Sequence, residues 1–219
     1  MKDLKSININ ECIYNLVKIN SNTTFNENII KSFGKNYKKC FDNNINIEKL
    51  KNKNDINFIL TNKEYTKVLF YITLQKYNTD TIVLWNICKN LECKISGYHI
   101  IESIINNYIK NNNIEFPNIK FIRLVLKCNN PFIIPSLKTY CRLGFKINDV
   151  NVDLLGWTTI KHVTMERLLY NPIFPKDFTE YFNNQLNILI KKCEYDDNNK
   201  KKIYDGIDKG TYRIDFRKN

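Results

Sequence analysis

Between residues 56 and 128 the spacing of apolar side chains turns from strand-like to helical and back, and few folds satisfy that order. The runs INFILT (56–61), KVLFYITLQKY (67–77) and TIVLWNIC (81–88) are rich in β-branched and aromatic residues, which suit a pleated sheet. Asn78, Thr79 and Asp80 supply a turn between the last two, because short polar side chains bond the nearby backbone there. Three runs joined so closely predict an antiparallel meander. The next segment places Tyr98, Ile101, Ile105, Tyr108 and Ile109 on one helical face, with asparagines at 111–113 to end it. KFIRLVLKC (120–128) is again a strand. A strand–helix–strand unit over 81–128 favours a right-handed crossover and hence a parallel pair in the sheet.

The flanks extend this pattern. CIYNLVKI (12–19) reads as the first strand, and NENIIKSFGKNYKKCF (26–41) as a helix with Ile29, Ile30, Phe33 and Tyr37 on one side. The polar stretch DNNINIEKLKNKND (42–55) stays open between a short helix and a loop. PSLKTYCRLGF (135–145) reads as a short helix with Gly144 at a left-handed end position. HVTMERLLY (162–170) is a late strand and KDFTEYFNNQLNILIKKC (176–193) an amphipathic helix. CEYDDNNKKK reads as a polar linker to a short tail. Strands and helices mixed in this order indicate an α+β or α/β layer with a partly parallel sheet.

Charge and cysteine content narrow the function classes. The net charge of the 219 residues is +12, yet only Arg123, Arg142, Arg167, Arg213 and Arg217 are arginines. The other basic residues are lysines scattered among asparagine and isoleucine, a solvated face, so nucleic acid is not expected as a partner. The cysteines at 12, 40, 88, 93, 128, 141 and 193 are odd in number and form neither a Cys-x-x-Cys pair nor a zinc-type cluster. Reduced thiols, no metal and a cytoplasmic, intracellular chain are the expectation. No apolar stretch is long enough to cross a bilayer, and MKDLKSININ lacks the apolar centre of a signal peptide, so no membrane partner is expected.

The order of elements and two local motifs resemble the GCN5-related N-acetyltransferases. The first is ICKNLECKISGYH (87–99). The family carries a strand, then a loop of the form Arg/Gln-x-x-Gly-x-Gly/Ala that opens a long helix. Lys94, Gly97 and His99 fall at the three marked places. The second is YCRLGF (140–145), similar to the family's Tyr-x-x-x-Gly-Phe after its fifth strand. The resemblance spans residues 12–170, which implies a domain at 1–170 followed by a C-terminal helix and polar tail at 171–219.

This resemblance implies an α+β, acyl-CoA N-acyltransferase-like fold: a mixed central β-sheet with a splayed parallel strand pair, flanked by helices. It implies an acetyltransferase that takes acetyl-CoA as cosubstrate and passes the acetyl group to a primary amine, on a small molecule or a protein. Attack would be direct, in a ternary complex, by a monomer or homodimer. The backbone of Ile87, Cys88 and Lys89 would pair with the pantetheine arm, and Asn129 or Asn130, of which Asn130 is the candidate carried forward, would offer a side-chain amide to it. Lys94, Ile95, Ser96, Gly97, Tyr98 and His99 would receive the pyrophosphate. There unpaired amide hydrogens at a helix start donate to anions, Gly97 lets the main chain come close, and Lys94 adds a point charge. Tyr140 would protonate the departing thiolate. No acid lies within TIVLWNIC to serve as the base; Asp80 and Glu92 flank it, and Glu64 and Glu166 stand further off. His99 occupies a position that is glycine or alanine in the family. On it rests a second reading, a catalytically inactive module of the same fold that binds acyl-CoA or a partner.

Overall fold

In the computed structural model, which describes residues 4–9, 12–41, 44–51, 55–111, 115–149, 161–210 and 213–216, the strand-forming runs lie where their spacing puts them. The chain divides into two compact units, Met1–Ile104 and Ile105–Asn219.

In the first unit β1 (Leu4–Ile9), β2 (Cys12–Ile19), β3 (Ile56–Thr61), β4 (Val68–Lys76) and β5 (Thr81–Lys89) pair consecutively, every pair antiparallel. The expected meander is β3–β4–β5. Strand β1 is one that the sequence pattern did not place. Its lysine and asparagine content dilutes the apolar alternation, as suits a strand at a sheet edge. Helix α1 (Glu27–Phe41) begins at Asn26, whose side-chain oxygen accepts from the Ile29 amide at 2.9 Å. It buries Ile29 and Phe33 against Val17, Ile59, Val68 and Tyr71. Two bonds fix it to the start of β4: Ser32 Oγ accepts from the Val68 amide at 2.9 Å, and Asn36 Nδ2 donates to the Val68 carbonyl at 2.6 Å. The stretch left open between helix and loop forms a 3-10 turn over Ile47–Lys51, anchored by the buried Ile47 and Leu50. Helix α2 (Gly97–Ile104) closes the unit.

In the second unit the helical path continues as a π turn, Ile105–Ile109. Asn112 and Asn113, two of the three asparagines expected to end the helix, lie outside the described residues. The strands β6 (Phe121–Lys127), β7 (Lys146–Asn148) and β8 (His162–Leu168) stand in the order β6–β8–β7, both pairs antiparallel. The parallel pair expected over 81–128 takes one strand from each unit, whereas within the units all pairing is antiparallel. Helix α3 (Ile133–Arg142) packs on β6, and α4 (Phe178–Cys193) packs on α3, β7 and β8. Between β8 and its neighbours a buried ion pair forms: Arg123 Nε donates to Glu166 Oε2 at 2.6 Å, and Asn148 Nδ2 to Glu166 Oε1 at 2.9 Å.

Two expectations are corrected here. The polar linker after residue 193 is instead a helix, α5 (Asp197–Asp208), capped by Asp196, whose carboxylate accepts from the Asn199 amide at 2.7 Å and which buries Ile203. The cysteines are not all free thiols: Cys40 is joined to Cys88, with Cα atoms 5.8 Å apart, and Cys128 to Cys193, at 5.5 Å. Separations of 48 and 65 residues carry no local signature, so only the fold brings these partners together. Among the described residues Cys93 and Cys141 are buried free thiols. No described helix is long and apolar enough to cross a membrane.

Candidate active site

Strand β5 is irregular where the predicted cofactor-binding residues begin. Its register with β4 runs Tyr71↔Cys88 and then Thr73↔Trp85, so one residue of β4 faces two of β5. That is a bulge. Asn86, inside it, takes a left-handed φ of 45°. Asparagine tolerates this region better than other residues with a Cβ. Opposite the bulge on β4, the Tyr71 hydroxyl donates to Asn57 Oδ1 at 3.1 Å and lies 2.6 Å from Thr73 Oγ1, while Thr73 donates to Asn57 at 2.8 Å. Asn57 Nδ2 reaches the Leu50 carbonyl at 2.9 Å. A polar row thus joins β3 and β4 although Asn57, Thr73 and Tyr71 are each at most 3% exposed. Burial pushes the Tyr71 phenol far above the ordinary tyrosine range, so it stays a neutral donor. Reading the sequence did not find this row. Its signal was present as same-parity polar residues, Asn57, Tyr71, Thr73 and Gln75, inside otherwise apolar strands.

Beyond the bulge, Ile87 is half-buried, Cys88 buried and Lys89 exposed, and the Asn90 amide returns to the Leu69 carbonyl at 2.9 Å. Cys88 is held by its disulfide to Cys40 at the end of α1. The loop then places Lys94 and Ser96 in solvent and Ile95 in the core. Ser96 stands before the first turn of α2: its Oγ accepts from the Tyr98 amide at 3.3 Å and its carbonyl from the Ile100 amide at 3.4 Å. The Gly97 and His99 amides have no acceptor among the described residues. His99 is exposed, its ring edge-on to Tyr98 at 5.1 Å, and Tyr98 donates to Glu102 Oε1 at 2.8 Å. Open amide donors, an accessible glycine and an exposed lysine fit an anionic diphosphate.

In the second unit Tyr140 lies on α3, 7% exposed, its ring edge-on to Phe145 at 6.1 Å. Its hydroxyl has no hydrogen-bond partner among the described residues, and burial pushes its pKa far up. Gly144 has φ +80°, and a Cβ there would meet the Ile173 carbonyl oxygen at 3.2 Å. The second motif therefore has a structural requirement of its own. Just ahead of α3, Asn130 Oδ1 accepts from the Phe132 amide at 2.9 Å in a local turn, which engages the oxygen and leaves Nδ2 to donate elsewhere. Next to it Cys128 is tied to Cys193, Tyr195 donates to the Cys128 carbonyl, and the Ile214 amide donates to the Pro131 carbonyl at 2.7 Å. Tyr195 also stacks on Phe216.

The acids weighed as bases are engaged elsewhere. Asp80 accepts from Thr81 in the β4–β5 turn, Glu92 pairs with Lys67 on the surface, Glu64 accepts from Asn62, and Glu166 is locked to Arg123. Among the described residues no three His, Cys, Asp or Glu side chains gather as metal ligands would.

No protein-family model matches the chain, and no curated protein does. Solved structures do. An acetyltransferase from Streptococcus agalactiae 2603 is similar over 71% of this chain and 98% of its own, at 14% identity and a TM-score of 0.51. An N-acetyltransferase from Staphylococcus aureus Mu50 matches 72% of this chain and 99% of its own at 16% identity and 0.49. A GNAT family acetyltransferase from Elizabethkingia anophelis, with acetyl-CoA bound, matches 70% and 96% at 10% identity and 0.46. The first of these likenesses reports on architecture: the chain shares the α+β fold of that acetyltransferase, a mixed β-sheet flanked by helices.

Proposed function

We propose that this chain is an N-acetyltransferase that moves an acetyl group from acetyl-CoA to a primary amine by direct attack in a ternary complex. The observation that carries the reading is the joint after β5, where the open Gly97 and His99 amides begin α2 beside the exposed Lys94. In this role the joint holds the diphosphate, and the helix dipole adds about 0.3–1 kcal/mol. The bulge at Asn86 breaks the regular β4–β5 ladder just ahead of Ile87–Lys89, which supports a place for main-chain pairing with the pantetheine arm. Bound acetyl-CoA supplies the activated acyl thioester. Tyr140, neutral throughout the physiological range, gives its proton to the departing sulfur, and Asn130 orients the arm through Nδ2.

Calorimetric titration with acetyl-CoA and with CoA tests the binding half of this reading, and mass spectrometry of acetylated amines the other half. Tyr140→Phe is expected to slow transfer by about 10²–10⁴-fold at unchanged acetyl-CoA affinity. A catalytically inactive module of the same fold is favoured by one feature, the exposed imidazole of His99 on the first turn of α2. Binding of CoA by the native chain with no acetyl transfer to any amine would select it.

A further inference from the structure

Cys88 couples the residues proposed to meet acetyl-CoA to a helix distant in sequence. It stands next to last in β5, within the Ile87–Lys89 stretch, and its sulfur is bonded to that of Cys40, next to last in α1. The bonds of Ser32 and Asn36 to Val68 hold the middle of α1 on β4. Beyond them the disulfide ties the last turn of the helix to the end of β5. That end has a short ladder of its own: past the bulge, Cys88 and Lys89 pair with Tyr71 and Phe70, and the Asn90 amide returns to the Leu69 carbonyl. The two ends of the link differ in access. Cys40 is exposed and Cys88 is buried. Lys38 and Lys39, exposed in the same last turn of α1, favour an anionic thiolate in attack on Cys40. Cys88 Sγ lies 3.6 Å from the Asn36 carbonyl oxygen, so a thiol freed there finds an acceptor already in place. A small cavity lined in part by Asn36, Tyr37, Leu69, Tyr71, Cys88 and Asn90 adjoins it and gives the released side chain room to turn.

We propose that Cys40 is a site of thiol–disulfide exchange, and that opening its link to Cys88 weakens the hold of the β5–α2 joint on acetyl-CoA. The inference rests on the acetyltransferase reading above. The reductant is a low-mass anionic thiol. Its thiolate attacks Cys40 Sγ and a new S–S bond forms there. The Cys40–Cys88 bond breaks with its electron pair going to Cys88, which takes a proton from solvent. A second thiolate attacks the incoming sulfur of the mixed disulfide and releases Cys40, so two small thiols are oxidised to one disulfide as the protein link is reduced. With the link open, the end of β5 must be ordered at each binding event, and that ordering costs affinity.

Reduced glutathione is the probe. Calorimetry with acetyl-CoA compares the native oxidised chain with the chain reduced by glutathione and then freed of it under argon. Kd should be about 5-fold or more weaker in the reduced form. Mass spectrometry of alkylated peptides should place new thiols at Cys40 and Cys88. Linkage demands the reciprocal effect: saturating acetyl-CoA should shift the glutathione equilibrium of the link toward the disulfide by the same factor, a tenfold shift being about 30 mV for two electrons. Cys40→Ser should bind as the reduced chain does whether or not glutathione is present, and oxidised glutathione should restore tight binding in the native chain alone. Equal affinity in both states, or tighter binding after reduction, would overturn the proposal while acetyl-CoA binding stands. So would weaker binding that comes with loss of the cooperative melt, since then the link only holds the fold. If the oxidised chain binds no acetyl-CoA, the reading beneath fails and the inference falls with it.

Discussion

Asn86 shows how one residue can set the terms for a strand. At φ 45° a β-branched side chain would crowd the following carbonyl, at about 1–2 kcal/mol. Asn86→Val should therefore lower the unfolding free energy by about 1–2 kcal/mol, whereas Asn86→Gly should escape that penalty. Urea titrations of the two variants decide. Gly144 makes the contrasting point about legibility. Its left-handed position could be read from the sequence because it follows a short amphipathic run, and the structure places it at φ +80°. Asn86 could not be read that way, because a bulge depends on the register with the neighbouring strand. Likewise Lys94, Gly97 and His99 lie where their motif puts them, at the opening of α2.

At the scale of elements, helices α1 and α3, the meander and the late strand were legible because each carries its own periodicity. Helix α5 was missed, although Asp196 followed by Ile203 gave both a cap and an apolar anchor. Seven of its first ten residues are charged or asparagine, and that hides a narrow apolar stripe. The disulfides lie beyond any local reading. Denatured without reduction, the chain should take up alkylating agent at no more than Cys12, Cys93 and Cys141; after reduction, at all seven cysteines. Mass spectrometry counts the adducts. Cys193→Ser should cost about 2–4 kcal/mol, because it reopens a long loop in the unfolded chain and frees the stretch that Tyr195 holds against the Cys128 carbonyl. Chemical denaturation of the variant checks this.

For the whole molecule, the buried phenols govern behaviour in alkali. Tyr71, Tyr140 and Tyr195 are pushed well above the usual tyrosine range by burial, and Tyr181 up to about 12. Unfolded phenols release their protons near pH 10, about the ordinary value, while the folded ones keep theirs. The folded chain then binds more protons than the unfolded one, so stability is complete below pH 10 and falls as pH rises past it. Melting temperatures from pH 8 to 11.5 should stay level and then drop, with phenolate absorbance rising only on unfolding. The second unit also depends on its last helices. Leu186, Leu189 and Ile190 are buried on α4, and each contributes about 1.5–3 kcal/mol by its burial. A chain stopped at residue 170 should therefore fail to give a cooperative melt.

The two sulfur links differ in how open they are to attack. Cys40 is exposed, whereas Cys128 and Cys193 are 5% and 6% accessible. Exchange needs a thiolate to reach sulfur, so the link at Cys40 opens first. Dithiothreitol in a purification buffer would thus yield a blend of molecules rather than one species, and uneven activity between batches would trace to bench reagents.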